Sequence, residues 1–210
     1  MCSSDLTVYL NNSNLYSLNN GRPKLIDKIV TSFVLDGNNV WYLQKNLLKQ
    51  TDLNSNQVNV INSNVPSAST AWLIRKNNQL YAVLDGNLYV LNDNFEKIYN
   101  NVNFAYFDDS SKLLVFANNN EILTFDPATT KTDLVLRSSS AVKNPVLNFA
   151  TGFIFYQSQG KIQAVELDSR DQRNNFTVIN DPTVSNFALS NDGRVLYTIS
   201  SQDIKKYSIR

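Results

Sequence analysis

The chain has 210 residues, 42% of them hydrophobic and 18% charged, with a formal net charge of +1. This is the composition of a folded protein with a sizeable core, and a charge this close to neutral leaves no basic footprint for nucleic acid or an anionic membrane. Histidine is absent, which removes the commonest general base and metal ligand together, and no apolar run approaches the roughly 18 residues of a membrane helix.

The single cysteine, Cys2, leaves disulfides no part in the fold. It sits in Met1-Cys2-Ser3-Ser4-Asp5-Leu6, the string that a GTG start followed by the tail of a sequencing adapter would encode. Residues 1–6 are therefore expected to be a non-native leader, and residues 7–210 a single domain truncated at its N-terminus.

Short strands are predicted at Thr7–Leu10, Asn14–Leu18 and Lys24–Asp27, separated by polar and Gly-Arg-Pro turns. Val30–Asp36 then runs into Asp36-Gly37-Asn38-Asn39, where a cycle restarts. Val40–Gln44, Asn46–Asp52, Gln57–Asn62 and Thr70–Ile74 form the next set. Gln79–Leu84, Asn87–Leu91, Glu96–Tyr99 and Val102–Phe107 form another, with Asp85-Gly86 as a hairpin signal. Leu113–Ala117, Glu121–Phe125, Asp133–Arg137 and Val146–Phe149 follow, then Phe153–Gln157, Lys161–Leu167, Phe176–Ile179 and Val184–Leu189. Arg194–Ile199 and Asp203–Ile209 end the series, with Asn191-Asp192-Gly193 as the clearest turn. Alternation of Val, Ile, Tyr, Phe and Leu is everywhere and no window holds a helical spacing, so the fold class is all-β.

Phe33, Trp72, Phe104, Leu147 and Phe187 mark the strand before each restart, with spacings of 32 to 43 residues. Periods near 40 with four strands each predict a β-propeller of four-stranded antiparallel blades. With strands lettered A (innermost) to D (outermost), the tally is five A, six B, six C and five D. Six blades are expected in the full protein. The missing first innermost and last outermost strands would come from an upstream segment whose outer strand pairs with Asp203–Ile209.

The run Phe187-Ala188-Leu189-Ser190-Asn191-Asp192-Gly193-Arg194-Val195-Leu196-Tyr197 resembles the junction between the first two strands of TolB-like and WD40-like propeller repeats. Weaker echoes lie at 108–113 and 36–40. The rhythm is similar to propeller modules of bacterial envelope proteins, some of which follow PEGA domains. The resemblance implies a binding module of the cell envelope or exterior rather than of the cytoplasm.

No catalytic, cofactor or metal residues are assigned. Asp36, Asp108 and Asp192 recur at A-to-B turns, where glycosidase carboxylates would also sit, but side chains that cap turns recur in the same way. Asn92-Asp93-Asn94 and Asp36-Gly37-Asn38-Asn39 carry calcium-type oxygens without the ligand spacing of a calcium loop. Serines lack an activating base, and there is no phosphate-cradling glycine loop. Trp41, Trp72, Tyr9, Tyr42, Tyr81, Tyr89, Tyr106, Tyr156 and Tyr197 are expected mostly in the core between blades, with an exposed subset open to glycan or peptide stacking. Lys205-Lys206 and Arg170 with Arg173 read as solvated surface. Asn11-Asn12-Ser13 and Asn175-Phe176-Thr177 match the glycosylation pattern at a frequency that chance allows in so Asn-rich a chain. The longest connections, 63–69, 127–132, 138–145 and 168–174, are shared between both propeller faces. The expected function is non-catalytic recognition of a protein or glycan partner, with no cofactor and no nucleic acid. The alternative is the propeller of an enzyme, glycosidase-like or gating a peptidase.

Overall fold

The computed structural model describes residues 7–19, 21–55 and 57–209; the leader expected over residues 1–6 lies outside the described residues. The chain divides into two compact units, Met1–Asn100 and Asn101–Arg210. Each holds three antiparallel sheets, and the described residues contain 22 strands and no helix.

In the first unit, β1 (Thr7–Asn11), β2 (Asn14–Asn19) and β3 (Arg22–Asp27) form a three-stranded sheet. The next sheet is β4 (Val30–Asp36), β5 (Asn39–Gln44), β6 (Leu47–Asp52) and β7 (Val58–Asn62). The third is β8 (Ala71–Lys76), β9 (Gln79–Leu84), β10 (Asn87–Leu91) and β11 (Phe95–Tyr99). In the second unit, β12 (Phe104–Asp108), β13 (Leu113–Ala117), β14 (Glu121–Asp126) and β15 (Lys131–Arg137) form one sheet. β16 (Lys143–Asn148), β17 (Phe153–Ser158), β18 (Lys161–Glu166) and β19 (Asn175–Asn180) form another. β20 (Val184–Leu189), β21 (Val195–Ser200) and β22 (Ile204–Ser208) complete the series. Strands adjacent in sequence are adjacent in every sheet, which is the meander of a propeller blade. The chain is all-β and built of such blades, with its two three-stranded sheets where the strand tally puts them.

The turns explain much of the asparagine. Asn12-Ser13, Asn77-Asn78, Asp85-Gly86 and Gln159-Gly160 each have positive φ at both central residues of a two-residue hairpin. That geometry matches the twist of the paired strands, and Asn, Asp and Gly adopt it at least cost. At Asp85 the carboxylate also accepts from the Thr70 and Ser69 backbone N–H groups and from both hydroxyls. These bonds, led by that of Thr70, hold its pKa down at about 2.

Three of the second strands depart from the expected alternation. In β9, β13 and β17 five or four consecutive residues are buried, such as Leu80-Tyr81-Ala82-Val83-Leu84. Both faces of these strands are covered, so they read as continuous apolar runs, the rule for any strand buried on two sides. The last strands, β7, β11, β15 and β19, are largely exposed or half-buried.

The core lies between successive sheets within each unit. Val8 and Leu15 of one sheet pack with Val30, Val40 and Tyr42 of the next, and Leu43 and Leu48 pack with Leu73, Leu80, Ala82 and Leu84. In the second unit Val115, Ala117 and Ile122 meet Leu147, Ile154, Tyr156 and Val165, while Phe155, Ile162 and Ala164 meet Val184, Phe187 and Leu196. A valine is buried at each passage into a new sheet: Val30, Val65, Val102, Val142 and Val184 are all at most 4% exposed. The N–H groups of Val30, Val65 and Val142 donate to carbonyls in a hairpin turn of the preceding sheet, those of Ser13, Asn46 and Asn119. By contrast, the five markers Phe33, Trp72, Phe104, Leu147 and Phe187 share the first strand of a sheet but not one height in it. Trp72 and Phe104 stand four residues before the last paired residue of their strand, Phe33 three, Phe187 two and Leu147 one. The repeat is one of strands, and its constant side chain is the junction valine.

One polar anchor crosses the same kind of seam. Asp27, at the end of β3, accepts from Tyr42 Oη (3.0 Å), Gln44 Nε2 (2.7 Å), Lys49 Nζ (3.0 Å) and the Lys28 N–H (2.8 Å). Partial burial alone would raise this carboxyl, but Lys49, the Lys28 N–H and Tyr42 outweigh it and leave the pKa below 3.8. Burial, with the Asp27 charge and hydrogen bond added to it, pushes the Tyr42 phenol well above its ordinary value. A depressed carboxyl contributes stability that is fully present above its unfolded value and is lost as pH falls through the folded one. Asp27→Ala is therefore expected to cost about 1–3 kcal/mol at neutral pH. In urea unfolding curves the gap from the parent should narrow as pH drops below 3.8; a gap that is constant with pH would refute the assignment.

Candidate functional site

In the second unit, three turns joining the first and second strands of successive sheets enclose a pocket of about 660 Å³. Residues 107–110, 146–150 and 189–193 line it. The turns are tied to one another. Tyr106 Oη on β12 accepts the Leu147 N–H of β16 at 2.6 Å, and burial raises this phenol above its ordinary range. Asn148, 3% exposed, accepts the Gly152 and Thr151 N–H groups through its carbonyl, closing its own turn. Its Nδ2 donates to the Gly193 carbonyl of the next turn at 2.7 Å.

Gly193 is needed twice at that junction. Its φ of +68° favours a residue without Cβ, and a Cβ placed there would lie 2.3 Å from Asn148 Oδ1. The remainder of the turn is held by Asp192, whose Oδ1 accepts from Ser190 Oγ (2.6 Å) and the Arg194 N–H (3.1 Å). Those two contacts, Ser190 first, keep its carboxyl below the ordinary carboxylate value. Asp108 Oδ2 accepts the Ser111 N–H at 2.7 Å in the first turn.

Two of the three aspartates singled out in the sequence thus come to one pocket, joined there by Asp109. Asp108 and Asp192 cap their own turns, as the turn reading expected. Asp36 belongs to the first unit and does something else. Its Oδ2 lies 3.3 Å from Arg75 Nε, and Arg75, largely buried, stacks 4.5 Å over the Trp41 ring. No group of three acidic or thiol side chains among the described residues is arranged to hold a metal ion.

Most of the candidate aromatics are core. Tyr42, Tyr81 and Tyr156 are fully buried, Tyr9 stacks on Tyr16 at 5.4 Å, and Tyr89 meets Phe95 edge-on. The two aromatics that line the pocket, the buried Phe107 and the exposed Phe149, are not among them. Phe149, expected as the last residue of a strand, lies in the turn after β16 and is 55% exposed. The local signal for it is Gly152, whose positive φ begins the return strand after the turn.

Arg173 corrects the expectation of solvated surface. Its side chain is 16% exposed and joins two sheets, donating to the Leu134 carbonyl (2.8 Å) and pairing with Asp133. Arg170, 88% exposed, pairs only locally with Asp168 among the described residues. Lys205 on β22 binds Asp181, in the connection between β19 and β20, at 3.2 Å. Asn175, in one glycosylation-type triplet, accepts the Tyr156 hydroxyl at 3.0 Å.

No protein-family model and no curated protein matches the chain. Solved structures do. Hsv2 of Kluyveromyces lactis aligns at a TM-score of 0.67 with 17% identity, over 97% of this chain and 70% of that one. The extracellular domain of BT4673 from B. thetaiotaomicron, described as a hybrid two-component system, aligns at 0.64 with 13% identity. That match covers 98% of this chain, which spans only 31% of the BT4673 domain's length. The computationally designed protein Ika8 aligns at 0.63 with 12% identity, over 97% and 70%. At such identities the likeness concerns the fold, and it is a β-propeller fold.

Gly193→Ala is expected to destabilise the chain by about 1–3 kcal/mol, through both the positive φ and the close approach of Asn148. Gly37→Ala should cost less, because only the φ of +60° opposes it and nothing lies within 4 Å of its added Cβ. Equal losses of melting temperature in the two variants would remove the Asn148 contact from the account.

Proposed function

We propose that this chain is a non-catalytic binding or scaffolding propeller, part of a larger bacterial envelope or secreted protein, and that it recognises a protein or glycan partner. The observation that carries the reading is the pocket of the second unit: a cavity walled by mutually anchored turns with an exposed aromatic ring in its lining. Loops on a rigid scaffold are the usual seat of recognition, and a concave mixed surface of this size is the usual form of a ligand site. The envelope setting is part of the proposal and rests on the resemblance of the repeat to envelope propellers.

A glycosidase is the second reading, favoured by the convergence of Asp108, Asp109 and Asp192 on one cavity. Glycoside hydrolysis needs one carboxyl that stays protonated near neutral pH to act as acid. Asp192 is shifted the opposite way, and Asp108 spends one oxygen on its own turn. The non-catalytic reading therefore has the stronger support.

Hydrogen-exchange mapping of the chain against soluble glycan and peptide collections tests both readings. The proposal expects protection at residues 146–150 and 189–193, with every ligand recovered unchanged. Hydrolysed ligand would move the chain to the enzyme reading, and protection confined to other segments would remove the pocket from its function.

A further inference from the structure

We infer that this pocket takes an uncharged, hydroxyl-rich ring ligand, a neutral carbohydrate, and discriminates against acidic sugars. The inference rests on the proposed reading of the pocket as a binding site and adds the chemical class of its ligand.

The apolar half of the argument is Phe149. Phe149 is 55% exposed and lines the pocket, and its turn is braced by two backbone hydrogen bonds to the Asn148 carbonyl, so the residue is offered to a ligand from an ordered backbone. An aromatic face is covered well by the C–H side of a sugar ring, which leaves the sugar's hydroxyls free to bond at its edges.

The polar half is rich in acceptors. Asp108 Oδ2 and Asp192 Oδ1 are engaged by their own turns. Asp108 Oδ1 and Asp192 Oδ2 accept no hydrogen bond among the described residues. An ionised carboxylate has only acceptor sites, and sugar hydroxyls are donors that can fill them. Because N–H and hydroxyl donors already steady these two charges, the site does not need a cationic ligand to exist. Lys112 and Arg194, exposed in the same turns, offset part of the acidic charge nearby.

The exclusion of acidic sugars follows from what the lining lacks. Among the described residues no lysine or arginine lines the pocket, so a uronate or sulfated sugar would meet Asp108, Asp109 and Asp192 in the wall, with only the flanking Lys112 and Arg194 to offset them. A volume of about 660 Å³ lies inside the roughly 300–1,000 Å³ range of small-ligand pockets.

The test is calorimetric titration of the full chain with neutral gluco-, xylo- and manno-oligosaccharides, with oligogalacturonate and with a lysine-rich peptide, mapped in parallel by hydrogen exchange. Saturable binding of at least one neutral series is expected, with protection at residues 146–150 and 189–193. Its affinity should be nearly constant between roughly 0.05 and 0.5 M salt, since no charge pair carries it. Phe149→Ala should weaken it roughly tenfold at an unchanged melting temperature, and Phe149→Tyr should retain it.

If oligogalacturonate or the peptide protects these segments while the neutral series does not bind, the ligand class is wrong and the pocket stands. Neutral sugars that bind with protection elsewhere, indifferent to Phe149→Ala, would overturn the pocket reading as well. Failure of every neutral series to bind overturns the inference.

Discussion

Burial of sheet faces against a neighbouring sheet of the same unit is the constraint from which the rest of this structure follows. A twisted sheet of three or four short strands has no interior of its own, so its apolar side chains leave water only where a neighbouring sheet covers them. Tyr42, Tyr81, Tyr156, Leu15, Leu48, Ile154 and Ile162 are among the fully buried side chains. At about 1.5–3 kcal/mol for each fully buried large aliphatic group, such contacts outweigh the exposed ion pairs, whose typical worth is about 0–1 kcal/mol. The pairs Arg173 with Asp133, between neighbouring sheets, and Lys205 with Asp181, between a strand and the connection that leads into its sheet, are better regarded as fixing register than as supplying stability.

The same packing creates the candidate site. A first strand fixed between its neighbours cannot move independently, so the turn at its end is held in place. Tyr106 to Leu147 and Asn148 to Gly193 carry that rigidity from one turn to the next by hydrogen bonds. In these three turns the polar groups that stabilise the fold and those that face the pocket are partly the same. Asp108 and Asp192 each use one oxygen for the turn and leave the other without a hydrogen bond among the described residues. That division makes a binding reading economical, because it explains the aspartates without a reaction.

The sequence made the all-β class and the strand order legible for a local reason: alternation and Asn, Asp and Gly turns are written over two to six residues. The Asp85-Gly86 hairpin and the strand ladder around it could be placed from those residues alone. What could not be read was which positions face which neighbour. The markers Phe33, Trp72, Phe104, Leu147 and Phe187 were conspicuous because they are large, yet their heights differ from sheet to sheet. The junction role of Val30, Val65, Val102, Val142 and Val184 is not legible because a single valine in a connection or at the first position of a strand carries no periodic signal. The pocket was hidden for a similar reason. Asp108 and Asp192 are 84 residues apart, and only the stacking of sheets brings them together, while Phe149 looked like the end of an apolar strand. Arg173 was misread because a lone arginine in a polar loop gives no hint of a partner some 40 residues earlier.

The central claim is most directly tested by the same substitution at two valines five residues apart in the first unit. Val65, in the connection between sheets, is 3% exposed, and Val60, on the last strand of its sheet, is 57% exposed. Chemical unfolding should show Val65→Ala costing about 1–3 kcal/mol and Val60→Ala within about 0.5 kcal/mol of the parent. Equal losses, or a larger loss at Val60, would contradict a core placed between successive sheets.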